Sequence, residues 1–180
     1  VLDFSRKEVV DCIYAMMEKI LSESRISYIK WDMNRSITEC YSATLPPDRQ
    51  GEVFHRYILG VYDLYDRLTK KFPQVLFESC ASGGGRFDPG LLYYAPQGWA
   101  SDDSDAVERL KIQYGTSMCY PVSSIGSHVS VVPNHQVFRN TPLHTRANVA
   151  CFGTFGYELD LNRLPEEELE EVKKQIAFMK

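Results

Sequence analysis

Amphipathic helical stretches alternate with short apolar strands along this chain, and that alternation limits the fold more than any other feature. "VVDCIYAMMEKIL" repeats apolar residues at Val9, Ile13, Met16, Met17 and Ile20, a helical spacing. "ISYIKWD" follows as a short strand, then a polar, proline-bearing loop, "TECYSATLPPDRQG". Phe54, Tyr57, Ile58, Val61, Leu64, Tyr65 and Leu68 mark a long second helix. "QVLFESC" is the next strand and runs into the glycine-rich loop "ASGGGRFDPG", and "GWASDD" reads as a third strand or strand end. "DAVERLKIQYG" predicts a helix closed by Gly115, with Asp105 and Glu108 at capping-box spacing. "CYPVSSIGSHVS" holds a weaker strand. Thr141 and Pro142 read as the cap and first residue of a helix through "LHTRANVA". "GTFGYELDL" is a last strand, and "PEEELEEVKKQIAFM" a closing helix with Pro165 in its first turn and Leu169, Val172 and Ile176 facing inward.

Such an order implies repeated βα units around a parallel sheet. Five strands are too few for an eightfold barrel, and 180 residues fall short of its usual length of about 250. The chain is therefore expected to be part of something longer, with a free-standing doubly wound sheet as the alternative. No linker, low-complexity segment or internal repeat interrupts it.

Composition narrows the function classes. With 44% hydrophobic and 24% charged residues the chain is expected to be globular and soluble. A net charge of −4 gives no support for nucleic-acid binding. No apolar run is long enough to span a bilayer, and "VLDFSRKEVV" does not read as a secretory signal. Cys12, Cys40, Cys80, Cys119 and Cys151 are odd in number and widely scattered, against both a disulfide framework and a zinc knuckle. The cytoplasm is the expected compartment. Neither a metal nor a cofactor is expected, because the histidines lack ligand spacing and the glycine run lacks the Walker ending and the GxGxxG pattern.

The candidate chemistry sits just past strand ends, the edge where parallel α/β sheets place their active sites. In "YIKWDMNR", residues two apart on a strand project to the same side, so Lys30, Asp32 and Asn34 would converge while Trp31 and Met33 point away. Asp102 and Asp103 end another strand, whereas Asp105 is explained as a helix cap. Two carboxylates brought together from different strands are what glycoside hydrolysis requires, one to attack or activate water and one to protonate the leaving oxygen. Burial and mutual repulsion can split their proton affinities. The rival reading is ordinary: most acids at strand ends cap helices or pair with arginines. Cys80, in the run "SCASGGG", reads either as a nucleophile with His128, His135 or His144 or as a small buried residue, and local context favours the latter. Trp99 suits a sugar-stacking wall and core packing equally.

"KWDMNR" (30–35), "ESCASGGGRFDPG" (78–90), "WASDDSDAVERLKIQYG" (99–115) and "SHVS" (127–130), in this order, closely resemble the retaining α-galactosidases of glycoside hydrolase family 36. The resemblance implies that residues 1–180 are a partial catalytic domain, roughly the C-terminal two-thirds of a (β/α)8 TIM barrel, within a longer enzyme that is a homo-oligomer. It implies that Asp32 is the nucleophile and Asp102 the general acid/base. It further implies that Lys30, Asn34, Cys80 and the backbone around Gly83 hold galactose hydroxyls, that Trp99 lines the sugar pocket, and that Arg86 and Asp103 are supports. The implied substrates are terminal α-linked galactosides such as raffinose or melibiose. A related α-N-acetylgalactosaminidase, a galactosyl transferase, or an inactive sugar-binding or structural fragment are the alternatives. Retention requires the carboxyls of Asp32 and Asp102 about 5–5.5 Å apart.

Overall fold

The protein is described here by a computed structural model covering residues 1–34, 36–38 and 40–180. Two compact units make up the chain. One comprises Val1–Ala81 with Asp88–Pro96, and the other Ser82–Phe87 with Gln97–Lys180.

In the first unit, α1 (Lys7–Glu23) leads to β1 (Tyr28–Asp32). A short 3-10 turn (Pro47–Glu52) precedes α2 (Val53–Lys71), which leads to β2 (Leu76–Cys80). β1 and β2 pair in parallel, with Lys30 opposite Glu78 and Asp32 opposite Cys80. The βαβ order read from the sequence is therefore present, with α2 as the crossover. One face of this pair is apolar: Ile29, Trp31 and Phe77 pack with Val61, Leu64, Tyr65 and Leu68 of α2.

In this unit two helix faces differ from the periodicity reading. On α1 the buried stripe runs through Val10, Ile13, Tyr14, Met17 and Leu21, while Met16 and Ile20 are exposed. Two apolar stripes overlap on this helix, sharing Ile13 and Met17, and spacing alone does not choose between them. On α2, Val53 is buried in place of Phe54, which is exposed. The loop after β2 contains a helix that the sequence reading took as loop, α3 (Pro89–Tyr94). The Asp88 side chain caps it by accepting from the Leu91 amide, and Pro89 occupies its first turn.

The second unit begins its regular structure with β3, only Gln97–Gly98, whose Gly98 bridges Ile125 in parallel. α4 (Ala106–Ser117), β4 (Gly126–Ser130), α5 (Leu143–Ala150), β5 (Thr154–Glu158) and α6 (Glu166–Met179) follow. β4 and β5 are parallel, and Val129, Leu143, Ala147, Ala150 and Val172 form the core beneath them. The third strand is shorter than "GWASDD" suggests because the backbone beyond Gly98 is taken up by side chains, as described below. α4 runs past Gly115 to Ser117, with Thr116 Oγ1 donating to the Ile112 carbonyl. Thr141 does not cap α5. Pro142 stands at the cap position, and its carbonyl accepts from the Thr145 and Arg146 amides. On α6, Val172 is buried and Leu169 half-buried, but Ile176 is 38% exposed, so the inward face is one turn shorter than expected.

Candidate active site

Asp32 stands exposed at the last position of β1. Alternation along the strand puts Tyr28, Lys30 and Asp32 on one face, opposite Glu78 and Cys80 of β2 by register. Glu78 is fully buried (0% exposed). Its carboxylate accepts from the Tyr28 hydroxyl on one oxygen, and Lys30 Nζ lies 3.7 Å from the other. Burying a carboxylate is costly unless it is hydrogen-bonded or paired, so Glu78 both needs and anchors the two side chains that precede Asp32 on its face.

Asn34 lies beyond the strand, and its Nδ2 donates to Asp32 Oδ2 at 2.8 Å. The expected grouping of Lys30, Asp32 and Asn34 is thus met in two ways, by strand alternation for the first two and by a direct hydrogen bond for the third. Arg35, the last residue of that motif, lies outside the described residues. The amide of Met33 donates to the Cys80 carbonyl at 2.9 Å, carrying the β1–β2 ladder one residue past Asp32. Cys80 itself is buried.

Asp102 has a different setting. It is exposed, in irregular backbone four residues past β3. The glycine-rich turn presses directly on this backbone. Ser82 and Gly83 both have positive φ, 50° and 77°, a left-handed conformation that glycine adopts without penalty. A Cβ on Gly83 would meet Ser101 Cα at 2.6 Å and the Asp102 amide nitrogen at 2.7 Å, and one on Gly84 would meet the Ala100 carbonyl oxygen at 2.6 Å. Gly83 and Gly84 therefore let the turn approach the backbone of residues 100–102 closely. Arg86 is half-buried in the same turn.

Side chains hold residues 101–105 from within. The Asp103 amide donates to Ser101 Oγ, and the Asp105 amide to Asp103 Oδ1. Asp105 Oδ2 caps α4 by accepting from the Val107 and Glu108 amides. Glu108 does not return the bond of a capping box; it and Asp105 both face Arg139. Ser130 Oγ donates to the Ser104 carbonyl at 2.7 Å. Arg109, buried on α4, donates to the carbonyls of Ser101 and Gly126. Burial pushes its guanidinium down to about 10, still protonated at neutral pH.

Trp99 is 3% exposed, its ring 4.6 Å from that of His128 and 4.6 Å from the Arg109 guanidinium carbon. Arg109 and Gln113 have no place among the sequence candidates, and His128 has one only as a possible partner of Cys80. The faint signal is that polar Arg109 and Gln113 fall three and seven residues after Ala106, on one helix face; these three are the buried residues of α4, while Leu110 and Tyr114 are exposed. A hollow of about 370 Å³ lined by Leu110, Tyr114, Val122, Val149 and Phe152 contains none of the expected site residues. Among the described residues no His, Cys, Asp and Glu group is arranged to hold a metal ion, and no helix is long and apolar enough to cross a membrane.

Comparison with known proteins extends these observations. A family model described as melibiase matches residues 1–180. The α-galactosidase AgaA of Geobacillus stearothermophilus is 57% identical over 180 residues, which cover 100% of this chain and 25% of that sequence. Its crystal structure matches with a TM-score of 0.96 over 99% of this chain and 25% of that one. An α-galactosidase structure from Lactobacillus brevis matches with a TM-score of 0.97 at 58% identity, covering 99% of this chain and 24% of that one. A substituted AgaA solved in complex with raffinose matches with a TM-score of 0.96 at 57% identity, covering 99% of this chain and 25% of that one. The chain spans about a quarter of the length of these relatives.

Proposed function

The chain belongs to the melibiase family, and from that premise we propose that it carries the catalytic machinery of a retaining α-galactosidase. The observation that carries this reading is the 57% identity to AgaA across all 180 residues, a region that contains both candidate acids. In the proposed reaction Asp32 attacks the anomeric carbon of a terminal α-linked galactose. Asp102 gives its proton to the departing sugar oxygen as the glycosidic bond breaks. A galactosyl ester on Asp32 results. Asp102 then takes a proton from water, the water attacks the same carbon, and galactose leaves with its original configuration.

Lys30, Asn34, Cys80 and the backbone at Gly83 are proposed to hold galactose hydroxyls, and Trp99 to back the sugar pocket. The exposure of Asp32 and its bond from Asn34 support this assignment. Raffinose and melibiose are the proposed substrates, in keeping with the raffinose complex of the AgaA variant. Residues 1–180 would form part of a (β/α)8 barrel domain in a longer, homo-oligomeric enzyme, which the parallel β1–β2 and β4–β5 pairs suit.

The test is turnover by the full-length enzyme carrying this chain. Raffinose, melibiose and an α-N-acetylgalactosaminide are compared, with the first-formed sugar read by proton NMR. Release of α-galactose first, with the acetamido substrate turned over poorly, is the expected result. Release of the β-anomer first would overturn the double displacement, and preference for the acetamido sugar would overturn the substrate assignment.

A further inference from the structure

Resting on the reading of Asp102 as acid/base, we propose that Arg109 is a positioning residue for Asp102, setting the carboxyl through the carbonyl of the preceding residue. Arg109 is 2% exposed and fully engaged. Its Nη1 donates to the Ser101 carbonyl at 3.1 Å, its Nη2 to the Gly126 carbonyl at 2.5 Å, and its Nε to Gln113 Oε1 at 3.1 Å. Its guanidinium carbon sits 4.6 Å from the centre of the Trp99 ring.

Among the described residues, none of these partners is a carboxylate. Asp103 and Glu158 supply some favourable charge, but a guanidinium buried on neutral hydrogen-bond partners is a poor way to stabilise a fold, since an apolar side chain of similar size is often at least as good. What the guanidinium offers instead is a rigid planar fork of donors. Here the fork ties the backbone beside Asp102 to the first residue of β4. Gln113, which orients the fork, is itself held: Ser127 Oγ donates to its Oε1, and its Nε2 donates to the Val149 and Phe152 carbonyls.

Only Asp102 and Asp103 lie between Ser101, held by Arg109, and Ser104, held by Ser130 and Asn134. Asp102 is therefore exposed at its carboxyl but pinned on both sides of its backbone. Loss of one pin lets the acid drift, and a drift of about 1 Å at a reacting group can lower a rate about 10²-fold.

The test uses the full-length enzyme and two substrates. Raffinose needs its leaving oxygen protonated. A dinitrophenyl α-galactoside does not, because dinitrophenolate leaves without a proton. For Arg109→Met, kcat/KM should fall about 10- to 100-fold on raffinose but stay within about threefold on the aryl substrate, and the limb of the pH profile assigned to the acid should shift. Arg109→Lys should recover part of the loss on raffinose. Equal losses on both substrates in a variant with an unchanged unfolding transition, or no loss at all, would overturn the proposal. If Arg109→Met does not fold, Arg109→Lys is judged by the same ratio of losses. Asp102→Ala run alongside keeps the two readings apart: an equal loss on both substrates there sinks the acid/base assignment itself, whatever Arg109 does.

Discussion

Two acids carry the proposed chemistry, and they are placed by different physics. Asp32 rides on a parallel ladder: the β1–β2 register fixes its backbone, and strand alternation sets its face. Asp102 sits on irregular backbone whose carbonyls and amides are held by Arg109, Ser130, Ser101 and Asp103 side chains. A ladder shares the work among many backbone groups, so no single side chain is indispensable. A side-chain scaffold concentrates it, so single substitutions should move Asp102 more readily than Asp32.

The largest effect expected comes from the acids themselves. In the full-length enzyme Asp32→Ala should lower kcat/KM at least about 10³-fold on raffinose and on an activated aryl galactoside alike. Asp102→Ala should lower it about 10²–10⁴-fold on raffinose and far less on the aryl substrate. Steady-state kinetics on both substrates reads the contrast, and identical patterns for the two variants would erase it. Next, core damage in the first unit should be felt as stability alone. Leu68→Ala, at a position with no exposure beneath the β1–β2 pair, should cost about 2–5 kcal/mol in denaturant unfolding while the folded enzyme keeps kcat/KM within about threefold.

Gly83→Ala should lower stability and activity together. Its new methyl meets backbone at Ser101 and Asp102, at a φ of 77°. The expected cost is about 1–3 kcal/mol in stability and about a tenfold or greater loss on raffinose, read by melting and kinetics together.

The smallest effect concerns alkaline pH in the first unit. Burial, aided by the Tyr62 hydroxyl donating to Asp88 Oδ1 at 2.9 Å, pushes the Tyr62 phenol up to about 12. Its folded value is raised above the ordinary 10, so its contribution is complete below pH 10 and is lost as pH rises from about 10 to 12. Tyr62→Phe should cost about 0.5–1.5 kcal/mol at neutral pH and flatten the decline in stability over that alkaline window, as urea titrations would show.

The same contrast explains what could be read from the chain beforehand. Ladder-borne features leave a periodic trace. The βα order, both parallel pairs' strands and the shared face of Lys30 and Asp32 were legible because alternation and helical spacing are local rules. The cap at Asp105 was legible for the same reason. Features decided by tertiary packing left an ambiguous trace or a misleading one. α1 offers two overlapping apolar stripes, and the neighbour it packs against decides between them. α4 inverts the usual rule, burying Arg109 and Gln113 and exposing Leu110 and Tyr114, because its inward face holds carbonyls rather than filling a core. The third strand stops at Gly98 because side chains, not a neighbouring strand, take up the hydrogen bonds around Ser101. α3 was within reach, since an Asp followed by Pro is a helix-start pattern that the glycine run before it obscured.

Covalent trapping identifies the nucleophile. Incubating the full-length enzyme with a 2-deoxy-2-fluoro galactosyl fluoride slows both steps but leaves a good leaving group, so the glycosyl ester accumulates. Digestion and mass spectrometry then locate the added sugar. One fluorogalactosyl group per chain is expected, on the peptide containing "KWDMN" and on the Asp32 carboxylate. An adduct on any other side chain, or inactivation with no adduct on this peptide, would contradict it.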